Sequence, residues 1–588
     1  MVHLAPAPPA RPLDALDLRV SGPPALTAPA VAHLRALGAT VAGEPRADGP
    51  ARFEAPGGPS AELAWADLWR PEDAADEATV QAVTGIMHVH GRRDGAPRGL
   101  ARDYAATCAS VLTVQGLLAA LLGRARSGAA AAHVATGADR AALLTVSQYL
   151  AAAGADEDEA VPTGPGGPPF TAADGTRFEL EALEPDVWAA FWRRLGAPAD
   201  AIRAGWRPFQ FRYATACAAL PDALHRTARA ASWAQVRQAA AGSRADVCRL
   251  HSLADRAADP APGPPWSFRP GRATGTPPRA PARPAATDPA LPLAGLTVLE
   301  AGRRVQAPLA AHLLGLLGAD VVRIEPPGGD PLRGMPPCCD GVSARWLALN
   351  RGKQVTEIDI KAPAGQAELR ELAATADVFL HNWAPGRAER LGLDADALSL
   401  ANPGLVYAYT GDWAERLPGA PTGTDFMVQA RTGVAEAVRT ADEPPGPSLM
   451  TLIDVLGGLH GAEAVLAALL LRERTGRGVR AESSLLGAAE TLTAPAAGPA
   501  PAGFRRPLAT ADGWIAPADR SAAPALRHAA ALRTLPTTDA LAALRARGLT
   551  ATAVTTDLRT LPADPRLPAA LTRDGHGALA VPTPWRFS

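Results

Sequence analysis

Two long apolar runs, far apart in the chain, carry nearly the same pattern. ARDYAATCASVLTVQGLLAALLGRARSG and PSLMTLIDVLGGLHGAEAVLAALLLRERTGRG both read as long helices, and both hold the string LAALL. Setting Leu466 on Leu118 puts Ala106 opposite Asp454, the one acid at the head of the second run. The openings of the two halves are doubled as well. LDLRVSGPPALTAPAVAHLRALGATVAGEP, from Leu16, parallels LTVLEAGRRVQAPLAAHLLGLLGADVVRIEPP, from Leu296, with AP, AHL, LGA and EP in step. Each predicts a short strand, a turn, an amphipathic helix and a second strand, the start of an α/β unit. Further on, EATVQAVTG (Glu77 to Gly85) parallels DFMVQARTG (Asp425 to Gly433). Such self-similarity marks a repeated module, so residues 1–260 and 293–588 read as two copies.

The copies are unequal. Copy two keeps WLALNRGKQVTEIDIKAPAGQAELRELAATADVFLHNWAPGRAERLGL, for which copy one, passing from Pro45 to Glu77, has no counterpart. Copy one in turn keeps a full helical region from Asp174 to about Pro260, abbreviated in copy two from Thr510 on. Each half lacks what the other retains, the pattern expected of a fused pseudo-dimer. The expected division is a shortened copy-one large domain at 1–160 and its small helical domain at 161–260. A Pro-rich semi-rigid linker follows at 261–292, then a copy-two large domain at 293–500 and an abbreviated small domain at 501–588.

Composition excludes more than it suggests. The 588 residues carry 58 Lys+Arg against 59 Asp+Glu, so no overall field favours nucleic acid or an anionic membrane. Five scattered cysteines form neither a disulfide framework nor a CxxC metal pattern, which suits a reducing cytoplasm. The N-terminus lacks a signal-peptide core, and no apolar run is expected to reach membrane-spanning length. The expectation is a cytoplasmic protein without metal, nucleic-acid or membrane partners.

Copy two resembles the family III (CaiB/BaiF-type) CoA-transferases, the group of formyl-CoA transferase, carnitine CoA-transferase and 2-methylacyl-CoA racemase. The similarity runs through PLAGLTVLEAG, GADVVRIEPPGGDPLR, LNRGKQVTEIDIK, ADVFLHNWAPGRAERLGL, NPGLVYAYTG and ERTGRGVRAESSLLGAAETL, and resumes at TADGW and in the closing PTPWRFS. It implies an α/β fold. Two degenerate copies of an open Rossmann-like large domain, each with a small α/β domain, would interlock as an intramolecular pseudo-dimer. It implies a monomer in this sense and leaves further oligomerisation open.

The resemblance also implies a chemistry: CoA moves from an acyl-CoA to a carboxylic acid through an aspartyl anhydride and an aspartyl-CoA thioester, with coenzyme A as substrate. The nucleophile falls on Asp454, at one site per chain; the bland alternative is that Asp454 is a helix N-cap. Gln306 falls on a glutamine beside the reacting carboxylate, and Thr27 stands there in copy one. Val305, Ile358, Lys361, Asn382, Trp383 and Arg390 fall on CoA-contacting positions: Lys361 and Arg390 suit phosphates, and Trp383 suits the adenine face. The basic residue often found at Pro326 is missing, and Arg323 is the candidate replacement. Asp425 falls on a second acid near the site, with Glu77 in the same place in copy one. A racemase would need a histidine at Thr424, and His460 lies on the wrong side of the helix to replace it. A CoA-dependent lyase, dehydratase or racemase and a silent CoA-binding scaffold stay open as alternatives. So does a role for the copy-one loop TGPGGPPF (Thr163 to Phe170) in covering the site.

Overall fold

In the computed structural model the doubled pattern folds as two sheets, one per half, largely parallel in copy two and mixed in copy one. The structure describes residues 11–128, 132–271, 288–494, 498–567 and 570–588. The copy-two sheet runs in the order Gln354–Glu357, Asp320–Glu325, Thr297–Ala301, Val378–His381, Val406–Gly411, Val479–Ser484. Neighbours among these six are parallel, as crossover connections through helices require. The copy-one sheet begins the same way, with Thr40–Pro45 parallel to Asp17–Gly22. It then fills its middle with Ala51–Glu54 and Ser60–Ala64, an antiparallel hairpin, before His133–Gly137. The segment missing from copy one is thus replaced by a hairpin that keeps the sheet continuous with no crossover helix.

The two long helices are the core. Tyr104–Ser127 and Leu452–Thr475 pack on each other and on the sheets, and both end at a left-handed glycine, Gly128 and Gly476, with φ of 67°. Glycine relieves the Cβ clash that ends a helix this way. Contrary to the sequence expectation, both are long and apolar enough to cross a membrane by length and composition alone. Both are buried between the halves, which explains a pattern apolar all round.

The halves interlock at their edges. Trp266–Pro270, which the sequence assigned to the linker, forms the edge strand of the copy-two sheet, antiparallel to Val479–Ser484. Arg586–Phe587 returns to the copy-one sheet, antiparallel to His133–Gly137. These strands are themselves a repeat, PPWSF against TPWRF, too short to stand out from proline-rich surroundings. The small domains cross over as well. The three-stranded sheet of Phe170–Thr171, Arg177–Glu181 and Asp246–Arg249 packs on the copy-two helix Asp425–Arg431. The sheet of Leu508–Ala509, Trp514–Pro517 and Ala551–Ala553 packs on the copy-one helix Glu77–Val83.

Candidate active site

The register of the duplication is visible atom by atom at the heads of the long helices. In copy two, Asp425 Oδ2 accepts the backbone N–H of Ile453 and of Asp454, both at 2.7 Å. In copy one, Glu77 accepts the N–H of Ala105 and of Ala106, both at 2.9 Å. Each acid is steadied by a glutamine one turn on, Gln429 and Gln81. Each glutamine exchanges hydrogen bonds with the backbone six residues before the Asp454/Ala106 position, at Ser448 and Leu100. Asp425 and Glu77 are therefore anchors that satisfy the free N–H groups of a helix start. Asp454 is not the N-cap: that position is Thr451, held at φ 51° and buried. Left-handed backbone at a β-branched residue is strained, and it turns the chain sharply into the helix just ahead of Asp454.

The carboxyl of Asp454 accepts no hydrogen bond among the described residues, in contrast to Asp425. Burial raises its pKa, and the neighbouring charge of Asp425, then of Glu181, raises it further, while Arg304 pulls it down. Burial raises Asp425 too, and the two N–H donors and Gln429 offset this only in part. Of the pair, Asp425, which accepts two N–H groups and the Gln429 amide, is the first to ionise, and the unpartnered Asp454 is the one that keeps its proton longer. Arg304 is exposed, at φ 60°, in the turn before Gln306. Sequence reading passed over it, although it adjoins a candidate residue.

Gln306 stands at the start of helix Gln306–Leu316 and donates to Gly411 O at 3.2 Å. A β-carbon added at Gly457, one turn past Asp454, would lie 2.9 Å from Gln306 Nε2; one at Gly458 would lie 2.8 Å from Gln306 O. The glycines of LGGLHG thus bring Gln306 to within one helical turn of Asp454.

Copy one reaches into this site. Glu181 pairs with Arg212 at 3.1 Å and accepts the Thr424 hydroxyl at 2.7 Å, and the Arg212 guanidinium lies 4.8 Å over the Phe426 ring. In the TGPGGPPF loop, Gly166 and Gly167 take φ of 124° and 127°, and a β-carbon at Gly167 would lie 3.0 Å from Leu449. Counting back from Ala173-Asp174-Gly175 and Ala511-Asp512-Gly513, the counterpart of Gly167 is Arg505. Arg505 plugs the equivalent place in the other half, where it pairs with Asp103 at 2.5 Å and Asp519 at 2.7 Å and donates to Leu100 O at 3.4 Å.

The remaining candidates separate into two groups. Lys361 and Arg390 are exposed, with no carboxylate partner among the described residues. Arg303 and Arg387, which the sequence reading missed, join Arg390: burial, and after it repulsion from Arg303 and Arg390, lowers the pKa of Arg387. Asn382 clamps the backbone of Arg303, accepting its N–H at 2.8 Å and donating to its carbonyl at 3.0 Å, and so fixes the turn that carries Arg303 and Arg304. Val305 and Ile358 are buried at strand and turn ends, where only their backbone can meet a ligand. Two expectations fail. Arg323 is 2 % exposed and spends its guanidinium on Glu300, Glu325 and Asp330. It anchors the sheet, and its guanidinium, enclosed by three carboxylates, is shut off from a phosphate in solvent. Trp383 is 5 % exposed and packed against Phe379 and His381, so it has no open face for adenine.

Comparison with known proteins settles the family. The model described as CoA-transferase family III matches residues 68–266 and 293–569. The chain belongs to that family. Both halves of this family III chain match, as the duplication requires. A probable fatty acyl-CoA transferase of Mycobacterium tuberculosis is 37% identical over 198 residues, 32% of this chain and 49% of that protein. The beta subunit of succinyl-CoA–L-malate CoA-transferase of Chloroflexus aurantiacus is 38% identical over 208 residues, 34% of this chain and 50% of its own length. Acetyl-CoA:oxalate CoA-transferase of Acetobacter aceti is 34% identical over 200 residues, 33% of this chain and 51% of its own. The chain spans about half the length of the curated relatives it matches. Among solved structures, a CaiB/BaiF family protein from Brucella suis is 27% identical, with a TM-score of 0.45 over 50% of this chain and 93% of that one.

Proposed function

We propose that the chain transfers CoA from an acyl-CoA to a small carboxylic acid, at one site per chain, with Asp454 as the nucleophile. The observation that carries this reading is the pair of matched helix starts. The same carboxylate–glutamine anchor holds both, and only one presents an acid. Where the other half has Ala106, Arg505 fills the place of Gly167. The relatives named as succinyl-CoA:malate and acetyl-CoA:oxalate transferases support a carboxylic acid acceptor.

The deprotonated Asp454 carboxylate attacks the thioester carbonyl; the C–S bond breaks and CoA leaves as thiolate. The thiolate attacks the aspartyl carbonyl of the resulting anhydride, expelling the donor acid and leaving an aspartyl-CoA thioester. The acceptor carboxylate then attacks that thioester, CoA leaves again, and its thiolate attacks the acceptor's acyl carbon, which regenerates Asp454. A carboxylate serves as both nucleophile and leaving group. Gln306 and the positive end of the helix stabilise the developing oxyanions, and Arg304 favours the ionised Asp454. The cluster of Arg303, Arg387 and Arg390, with Lys361, is free to meet CoA phosphates. Racemisation is disfavoured because Thr424 stands where a base is needed and donates its hydroxyl to Glu181. The unpaired cysteines are consistent with a cytoplasmic setting.

The test is to incubate the protein with candidate acyl-CoAs, trap with hydroxylamine, and map the modified residue by mass spectrometry. A hydroxamate on Asp454, lost in Asp454→Asn, is the expected result. Tight CoA binding with no adduct and no turnover would sink it.

A further inference from the structure

Behind the active site, on the far side of the Leu452–Thr475 helix from Asp454, three ligand-type side chains converge from both halves. His33, on copy-one helix Pro24–Ala36, places Nδ1 at 3.0 and 2.9 Å from the two carboxylate oxygens of Glu463. His460 faces His33 edge to face, with ring centroids 5.2 Å apart. One donor atom from each of the three lies within 4.8 Å of the other two, and all three residues are buried.

The surroundings are short of hydrogen bonds. Both ring nitrogens of His460 are buried without a partner among the described residues, as are His33 Nε2 and the indole N–H of Trp266, whose ring lies 5.3 Å from that of His33. The hydroxyls of Ser483 and Thr410 are buried and unpartnered too. They belong to the same layer: Ser483 is paired in register with both Trp266 and Thr410, and a β-carbon at Gly461 would lie 3.5 Å from Thr410 Oγ1. Buried polar atoms are nearly always satisfied, and a cluster of orphans in one layer points to an occupant. Two imidazoles and a carboxylate are the donor set of a borderline divalent ion such as zinc.

We propose that His33, His460 and Glu463 bind one divalent first-row metal ion, zinc by its donor chemistry, which ties the two halves together at their junction. The duplication offers an internal contrast. The counterparts of His33, His460 and Glu463 are His312, Leu112 and Gln115, a set that has lost two of its three ligands. Gln115 instead donates to Leu459 O at 2.8 Å. The ion would lie at one of two pseudo-equivalent places. It is structural in role, since His460 sits six residues beyond Asp454 and faces away from it.

The test uses the full chain, stripped with chelator, reloaded with Zn²⁺, desalted and analysed for bound metal. The wild type should retain about one ion per chain, and His460→Phe and Glu463→Gln about none, while His312→Phe retains it. No retention by the wild type, or retention unchanged in both variants, overturns the proposal. Should either variant fail to fold, Co²⁺ loaded into the wild type decides. The strong visible bands of a tetrahedral N/O site support the proposal, and the weak spectrum of a hydrated surface ion overturns it.

Discussion

At the scale of single residues the site depends on the unshared proton acceptor of Asp454. Asp454→Asn should lower turnover by about three orders of magnitude or more while leaving CoA binding within a factor of a few, as measured by steady-state kinetics and calorimetry. Because the Asp454 carboxyl must ionise to attack, kcat should rise with pH through its raised pKa. Stability runs the other way. A carboxyl whose pKa is raised on folding binds more protons folded than unfolded between its ordinary value, about 4, and the raised one. Its contribution is therefore full below the unfolded value and is lost as pH climbs. Asp454→Asn lacks that loss, so its Tm advantage over wild type should widen from about pH 5 to about pH 8. Gly457→Ala addresses the neighbouring residue. The helix gains up to about 1 kcal/mol of propensity, yet the added carbon lies 2.9 Å from Gln306 Nε2. It also meets Leu485 Cδ2 at 3.0 Å, a crowding that offsets the propensity gain, so turnover should drop by more than any change in Tm explains.

At the scale of elements, the two anchored helix starts make a matched experiment. Asp425→Ala and Glu77→Ala each unseat two backbone N–H groups and should each cost about 1–2 kcal/mol, read by denaturant melts. Only Asp425→Ala should also depress turnover well beyond its effect on stability, because only that helix start carries the nucleophile. The pairing of Asp425 with Glu77 was legible in the sequence, and so were both long helices and the opposition of Ala106 to Asp454, since a duplication supplies its own alignment. The anchoring role was not legible, because an acid that caps another helix lies nearly thirty residues from the amides it serves. Arg323 misled for a related reason. Its sequence neighbours do not reveal that Glu300, from the adjacent strand, and Asp330 converge on it. Trp383 looked free because periodicity says nothing of Phe379 and His381 closing over its ring. Arg304 and Glu181 were invisible: one sits in an exposed turn, the other in the opposite half.

At the scale of the molecule, the fusion holds by exchange of parts rather than by its connector. A protease site placed between Gly271 and Asp288 and then cut should leave a single particle of unchanged elution volume and near-normal turnover. Each fragment still contributes an edge strand or small domain to the other, Trp266–Pro270 to the copy-two sheet and Arg586–Phe587 to the copy-one sheet. Fragments that separate on size exclusion in native buffer would refute that view. The copy-one hairpin explains why the halves cannot trade roles: Ala51–Glu54 and Ser60–Ala64 occupy the sheet positions from which copy two launches the turns bearing Asn382 and Gln306's partner Gly411.

The strand Arg586–Phe587 also sets an order of events during synthesis. The copy-one sheet, begun at Asp17, waits for its edge until residues 586 and 587 have left the ribosome. The strand at Trp266 waits in turn, over a shorter stretch of chain, for Val479–Ser484. A nascent first half is therefore an unfinished object that exposes apolar helix and open sheet edge through most of translation. Cells making this chain should depend on chaperones that hold it until the second half arrives.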